Sequence, residues 1–131
     1  MDKLYILFYL HLIIDLIPFI YIGFFPKKYD IFIVFIVFLQ CIHWIILKNE
    51  CSISYLEKRI IDNNYKLGQD ISNIPHEKYF YKTLPNILFL HFLQICIFLF
   101  ILYRNRDNKV IIGLSIFNTI IMINLMRLRY F

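Results

Sequence analysis

Four long apolar runs, at residues 4–25, 31–47, 84–103 and 110–126, constrain this chain more than anything else in it. A helix that crosses the hydrocarbon core of a bilayer needs about 20 residues, within a range of about 17–25. All four runs reach that length, the second and fourth narrowly. In lipid a backbone must satisfy its own N–H and C=O groups, so each run is expected to be helical despite its many Ile and Phe residues. The first run is too long for the apolar region of a signal peptide and carries no small-residue cleavage site. The expected fold is therefore an all-α membrane protein, a four-transmembrane-helix bundle forming one integral membrane domain over residues 1–131.

The connections refine this picture. The first two runs are joined by "PKKYD" and the last two by "RNRDNK", and turns this short make antiparallel neighbours, hence two antiparallel hairpins. The middle loop, residues 48–83, holds most of the acids. Within it Ser54 and Glu57 fit the S-x-x-E capping box and predict a helix over "YLEKRIID". Leu56, Ile60 and Ile61 share one face of that helix, which is expected to lie as a short interfacial helix on the membrane surface. Gly68 reads as its stop signal, and Tyr79, Phe80 and Tyr81 as an aromatic belt before the third run.

Composition agrees. Charged residues make up 18% of the chain and hydrophobic ones 60%, against about a quarter and about half in soluble domains. There is no alanine, while Ile, Phe, Tyr, Asn and Lys abound, the signature of an A/T-rich genome such as that of a large DNA virus, a parasite or an endosymbiont. The net charge of +5 comes from basic residues at the ends of apolar runs, where they anchor a membrane protein at the headgroups. No basic stripe stands clear of those runs, so no nucleic acid is expected as a partner. The expected partners are the lipid bilayer and either a second copy or another membrane protein. Lys3, Lys48, Lys58, Arg59, Lys66, Lys78, Lys82, Arg127 and Arg129 lie on the side of the termini. Lys27, Lys28, Arg104, Arg106 and Lys109 lie opposite, so both termini are expected in the cytoplasm. Cys41, Cys51 and Cys96 form no CxxC pair, and two of them sit inside apolar runs, which argues against a disulfide framework.

Ionisable groups inside a span are costly and usually functional. The first run has His11 and Asp15 on one face, and the second has Gln40 and His43. His91 and Gln94 lie in the third, Asn118 and Asn124 in the fourth. At a rise of about 1.5 Å per residue, His11 and His91 sit roughly 10 Å, and His43 roughly 7 Å, from the loop-side ends of their helices. Three histidines on three helices thus share one depth, with Asp15, Gln40, Gln94 and Asn118 about one turn deeper. Such a layer either ties helices together or forms a site facing the loop. Three imidazoles, His11, His43 and His91, with Asp15 or Glu50 added, can hold zinc, iron or copper. Two histidines on different helices can ligate a haem, and His11 with Asp15 can relay protons. Cys51 is a candidate nucleophile if His43 or His76 lies beside it with Glu50 orienting the base. Glu50 would also raise the thiol's pKa, which favours a structural role. No HExxH or comparable signature is present.

The stretch "CSISYLEKRI" resembles a motif of a family of small bacterial membrane proteins classed only as a domain of unknown function. Those proteins carry a His in the first span, then Cys-Pro-Leu-Thr-x-Leu-Glu after the second, basic residues, a Gly-Tyr pair and a further His. Here His11, Cys51, Ile53, Ser54, Leu56, Glu57, Lys58, Arg59, Tyr65 and His76 fill those places, with Ser52 for the proline and Asn64 for the glycine. The resemblance covers roughly the first hundred residues. It implies a multi-span fold and weight for His11, Cys51 and Glu57, but no reaction. With no strong catalytic signature, the first expectation is a structural or interaction component of a membrane, including a viral one. The alternatives are a small membrane enzyme or redox protein with a metal or haem at the histidine layer, and a proton or ion pathway.

Overall fold

A computed structural model describes residues 2–131. Its helices are α1 (Lys3–Phe24), α2 (Asp30–Ile46), α3 (Ser52–Ile61), α4 (Pro75–Tyr81), α5 (Leu84–Arg104) and α6 (Lys109–Tyr130), with one 3₁₀ turn at Lys27–Tyr29 before α2. No strand occurs among the described residues. Four helices are long and apolar enough to cross a membrane: α1, α5, α6, and α2 together with its preceding turn. Two of these starts have side-chain caps. Asp2 accepts from the N–H of Leu4, and Asn108 from those of Val110 and Ile111.

α6 packs against both α2 and α5, whereas α1 packs against α5 and the short helices α3 and α4. The core lies toward the end where α1 meets α2, and is built from Tyr21, Ile33, Val34, Ile97, Phe98, Ile101, Ile111 and Met122. Outward faces are apolar too: Ile13, Ile20, Phe32, Phe89, Phe92 and Ile120 are exposed on the four long helices. So much contiguous apolar surface is foreign to a water-facing monomer and natural for one in hydrocarbon.

A charged staple closes the core end. Asp30, fully buried, accepts from the Tyr21 hydroxyl (2.6 Å), Arg104 Nε (2.6 Å) and Asn105 Nδ2 (2.5 Å). It thereby fastens the ends of α1, α2 and α5. The expected polar tier loses Asn118 here, because its Nδ2 donates to the Val34 carbonyl (3.0 Å) and ties α6 to α2.

The middle loop departs from the sequence reading in two places. α3 begins at Ser52 with Cys51 as the residue before it, so Ser54 lies inside the helix and no capping box forms. Ser54 Oγ is buried without a partner, and Glu57 points elsewhere, as described below. Gly68 is not the stop signal, since α3 ends at Ile61. It adopts φ +77° in a later turn, where a Cβ would meet Lys48 Cβ at 3.0 Å. Its N–H donates to Glu50 Oε2 (2.8 Å). The unanticipated α4 starts with Pro75 at its first turn, a position where a missing N–H is harmless.

Candidate functional site

The loop helices bring a second set of polar groups onto the polar face of α1. His11 and Asp15, one turn apart, meet Glu57 from α3 and His76 from α4. His11 Nδ1 lies 3.2 Å from Glu57 Oε1, and His76 Nε2 lies 3.1 Å from Asp15 Oδ2. The two imidazoles stack at 3.6 Å between centroids, tilted by 26°. His76 Nδ1 faces Glu57 Oε2 at 3.5 Å, and neither atom has a hydrogen-bond partner although both side chains are buried. The ligand atoms of His11, Glu57 and His76 all lie within 4.8 Å of one another.

Cys51 completes the cluster. Burial by itself would raise its thiol pKa. The adjacent His11 imidazole and the N–H groups of Ser54 and Ile53 at the start of α3 outweigh burial and hold the thiol below its ordinary value. The expected push upward from Glu50 does not arise. The chain is extended at Cys51 (φ −79°, ψ 140°), so neighbouring side chains diverge, and Glu50 is turned into the loop. There its carboxylate accepts from Lys58 Nζ, the Tyr65 hydroxyl (2.8 Å) and Gly68 N–H (2.8 Å). Glu50 therefore neither orients a base for Cys51 nor joins a metal set. Glu57, read from sequence as a helix cap, takes the orienting place. Burial raises its pKa, but the hydrogen bond with His11 and the nearby His76 imidazole override this and keep it ionised. His76 runs the opposite way: burial opposes its protonation, while Asp15 and Glu57 favour it and raise its pKa.

A neighbouring network holds α4 against α5 and α6. Glu77 accepts from the Tyr130 hydroxyl (2.5 Å) and lies 2.9 Å from His91 Nε2. His91 Nδ1 pairs with Gln94 Oε1 (3.0 Å), and Gln94 donates to the Asp15 carbonyl (3.0 Å). The expected tier of His11, His43 and His91 is therefore not one ligand set. His91 is taken by Glu77, and His43 pairs with Gln40 on its own helix (3.3 Å). All three nevertheless line one cavity of about 190 Å³, with Cys51, Asp15 and His76. Ile14 and Ile17 of α1 and Ile36 of α2 also line it and are exposed, so it reaches the apolar surface between those helices. The stacked geometry of His11 and His76 prevents that pair from facing each other across a haem iron.

Glu77, Tyr130 and Asp30 are polar residues to which sequence reasoning gave no role, and Glu57 was given a different one, a helix cap. Glu57 had a signal, the motif's terminal Leu-Glu, and Pro75 ahead of His76 and Glu77 marked a helix start. Asp30 and Tyr130 lie at run boundaries and carried none. No protein-family model, curated protein or solved structure matches the chain.

Proposed function

We propose that the chain is a small multi-pass membrane enzyme in which Cys51 is the nucleophile, His11 its base and Glu57 the group that orients His11. The observation that carries this reading is the meeting of the three: a thiol at a helix N-terminus and an imidazole beside it, both lining the cavity, and behind them a buried carboxylate 3.2 Å from Nδ1 of that imidazole. With Nδ1 committed to Glu57, the other ring nitrogen serves the thiol. His11 accepts the thiol proton, the thiolate adds to an acyl carbonyl, and His11 returns the proton to the departing alcohol or thiol. A water or acceptor hydroxyl, deprotonated by His11, then releases the acyl group and regenerates the thiol. The apolar mouth between α1 and α2 suits a substrate that arrives from lipid.

In this proposal the four long helices cross the bilayer as two antiparallel hairpins with both termini cytoplasmic. α3 lies at the interface on its exposed face of Leu56, Ile60 and Ile61. His11, Cys51, Glu57 and His76, which carry the resemblance to the family of unknown function, are the residues that converge, and this supports membership. A purely structural role accounts for the hydrogen bonds that tie α1 to α3 and α4, but not for the unpartnered His76 Nδ1 and Glu57 Oε2. A proton or ion pathway is disfavoured by the apolar packing of Val34, Phe98 and Ile101 at the core end.

Alkylation of the full chain in chelator-treated liposomes tests the reading. Iodoacetamide is expected to modify Cys51 faster than Cys41 or Cys96 at pH 7, and His11→Asn to slow it about tenfold, the change in thiolate for each unit of thiol pKa. A Cys51 that is inert, or indifferent to His11→Asn, would overturn it.

A further inference from the structure

We infer that His11, Glu57 and His76 form a binding site for a divalent transition metal of the zinc class. Ligands around a tetrahedral zinc at about 2.0–2.1 Å stand about 3.3 Å apart. One ligand atom from each of the three residues lies within 4.8 Å of the other two, and each imidazole Nδ1 stands near that spacing from a Glu57 oxygen: 3.2 Å from His11 to Oε1 and 3.5 Å from His76 to Oε2.

A second observation is independent of that match. His76 Nδ1 and Glu57 Oε2 are buried, face each other and have no hydrogen-bond partner. A neutral imidazole whose Nε2–H is given to Asp15 presents a bare lone pair at Nδ1, directed at a carboxylate oxygen. Two acceptors held this way repel unless a proton or a metal cation lies between them; the 3.5 Å gap is long for a proton bridge, and an unpaired buried polar atom is expensive. Asp15 at 3.1 Å from Nε2 is the outer carboxylate that commonly fixes the tautomer of a metal-bound histidine. Two nitrogens and one oxygen select zinc, cobalt, nickel or copper over magnesium or calcium. His11 and His76 both line the cavity, which leaves its side for a fourth ligand such as water.

The site does not depend on thiol chemistry at Cys51. The two uses of His11 compete, since a metal at Nδ1 takes the Glu57 carboxylate that orients the base. A bound cation therefore slows alkylation of Cys51.

Purified full-length protein, stripped with chelator in detergent and titrated with Zn²⁺, tests this. About one zinc per folded chain is expected, with Cys51→Ser retaining it, His76→Asn abolishing it, and Asp15→Asn weakening it about 10–100-fold. Circular dichroism establishes that each variant is folded. Absence of stoichiometric zinc in the wild-type chain, or zinc that survives His76→Asn, would overturn the inference. Zinc binding with an inert Cys51 would sink only the thiol enzyme, and a reactive Cys51 without zinc only the metal site.

Discussion

Glu50 and Glu57 lie in the same loop, seven positions apart and both fully buried, yet their neighbours give them opposite uses. Glu50 is satisfied by a lysine, a tyrosine and a backbone N–H, so it is a structural anchor. Glu57 meets only imidazoles and keeps one oxygen unpartnered, which is the condition of a working carboxylate. Adjacency in sequence pointed to Glu50 as the partner of Cys51, and it misled because extended backbone sends successive side chains apart. Glu50→Gln leaves Lys58 buried without its charge partner, and unfolding in detergent is expected to show a loss of about 3–5 kcal/mol. Glu57→Gln should keep the fold and alter titration instead. The Cys51 thiol is held below its ordinary value in the folded protein by the adjacent His11 imidazole, which Glu57 orients. Its thiolate, and the stability linked to it, are complete above that value and lost as pH falls through the folded one. Removing the carboxylate moves that loss to higher pH. The pH profile of iodoacetamide labelling, recorded in chelator, is thus expected to shift upward in Glu57→Gln and to stay put in folded Glu50→Gln.

Elements were legible in proportion to their length. The four long helices could be read from hydropathy because a run near 20 apolar residues has few other ways to satisfy its backbone. Their bounds moved by a few residues where Tyr130 and Asp30, polar at the edge, join helices that the apolar pattern had trimmed. α4 was invisible because seven residues are too few to repay helix nucleation alone, and three of them are aromatics of modest helix propensity. It exists through contacts that no local pattern announces. Tyr79 packs on Phe8 (5.3 Å) and Phe80 on Tyr9 (5.4 Å), while Glu77 is gripped by Tyr130 and His91. The site was half legible for the same reason: His11, Asp15, Cys51, Glu57 and His76 could each be nominated, but not as one group, because Glu57 and His76 reach α1 only where α3 and α4 fold over it. Tyr130→Phe removes a hydrogen bond to a charged acceptor, worth about 1.5–3 kcal/mol. Amide exchange should accelerate across Pro75–Tyr81 and remain slow in the middle of α5 and α6. Uniform exchange in both proteins would show that α4 does not depend on this anchor.

Taken whole, the molecule is built unequally from end to end. One end holds the apolar core and the Asp30 staple, and the other holds the cavity, the histidines and the loop helices. That division lets a buried, partly unpartnered polar cluster persist, because the cost of burying it is offset by packing elsewhere. The staple also behaves asymmetrically. Asp30 is fully buried, so losing its cation strands a carboxylate that has no route to water. Arg104 sits in the last turn of α5 with 19% of its side chain exposed, and its long stem can carry the guanidinium to the headgroups. Arg104→Met is accordingly expected to cost more than Asp30→Asn, about 3–5 kcal/mol against a smaller loss that hydrogen bonds from Tyr21 and Asn105 soften. The double variant should lie near Asp30→Asn alone, since no charge is then left buried. Thermal unfolding of the four proteins in one detergent reads this directly. Strictly additive losses would mean that the two charges are not coupled, and that the apolar core holds the closed end by itself.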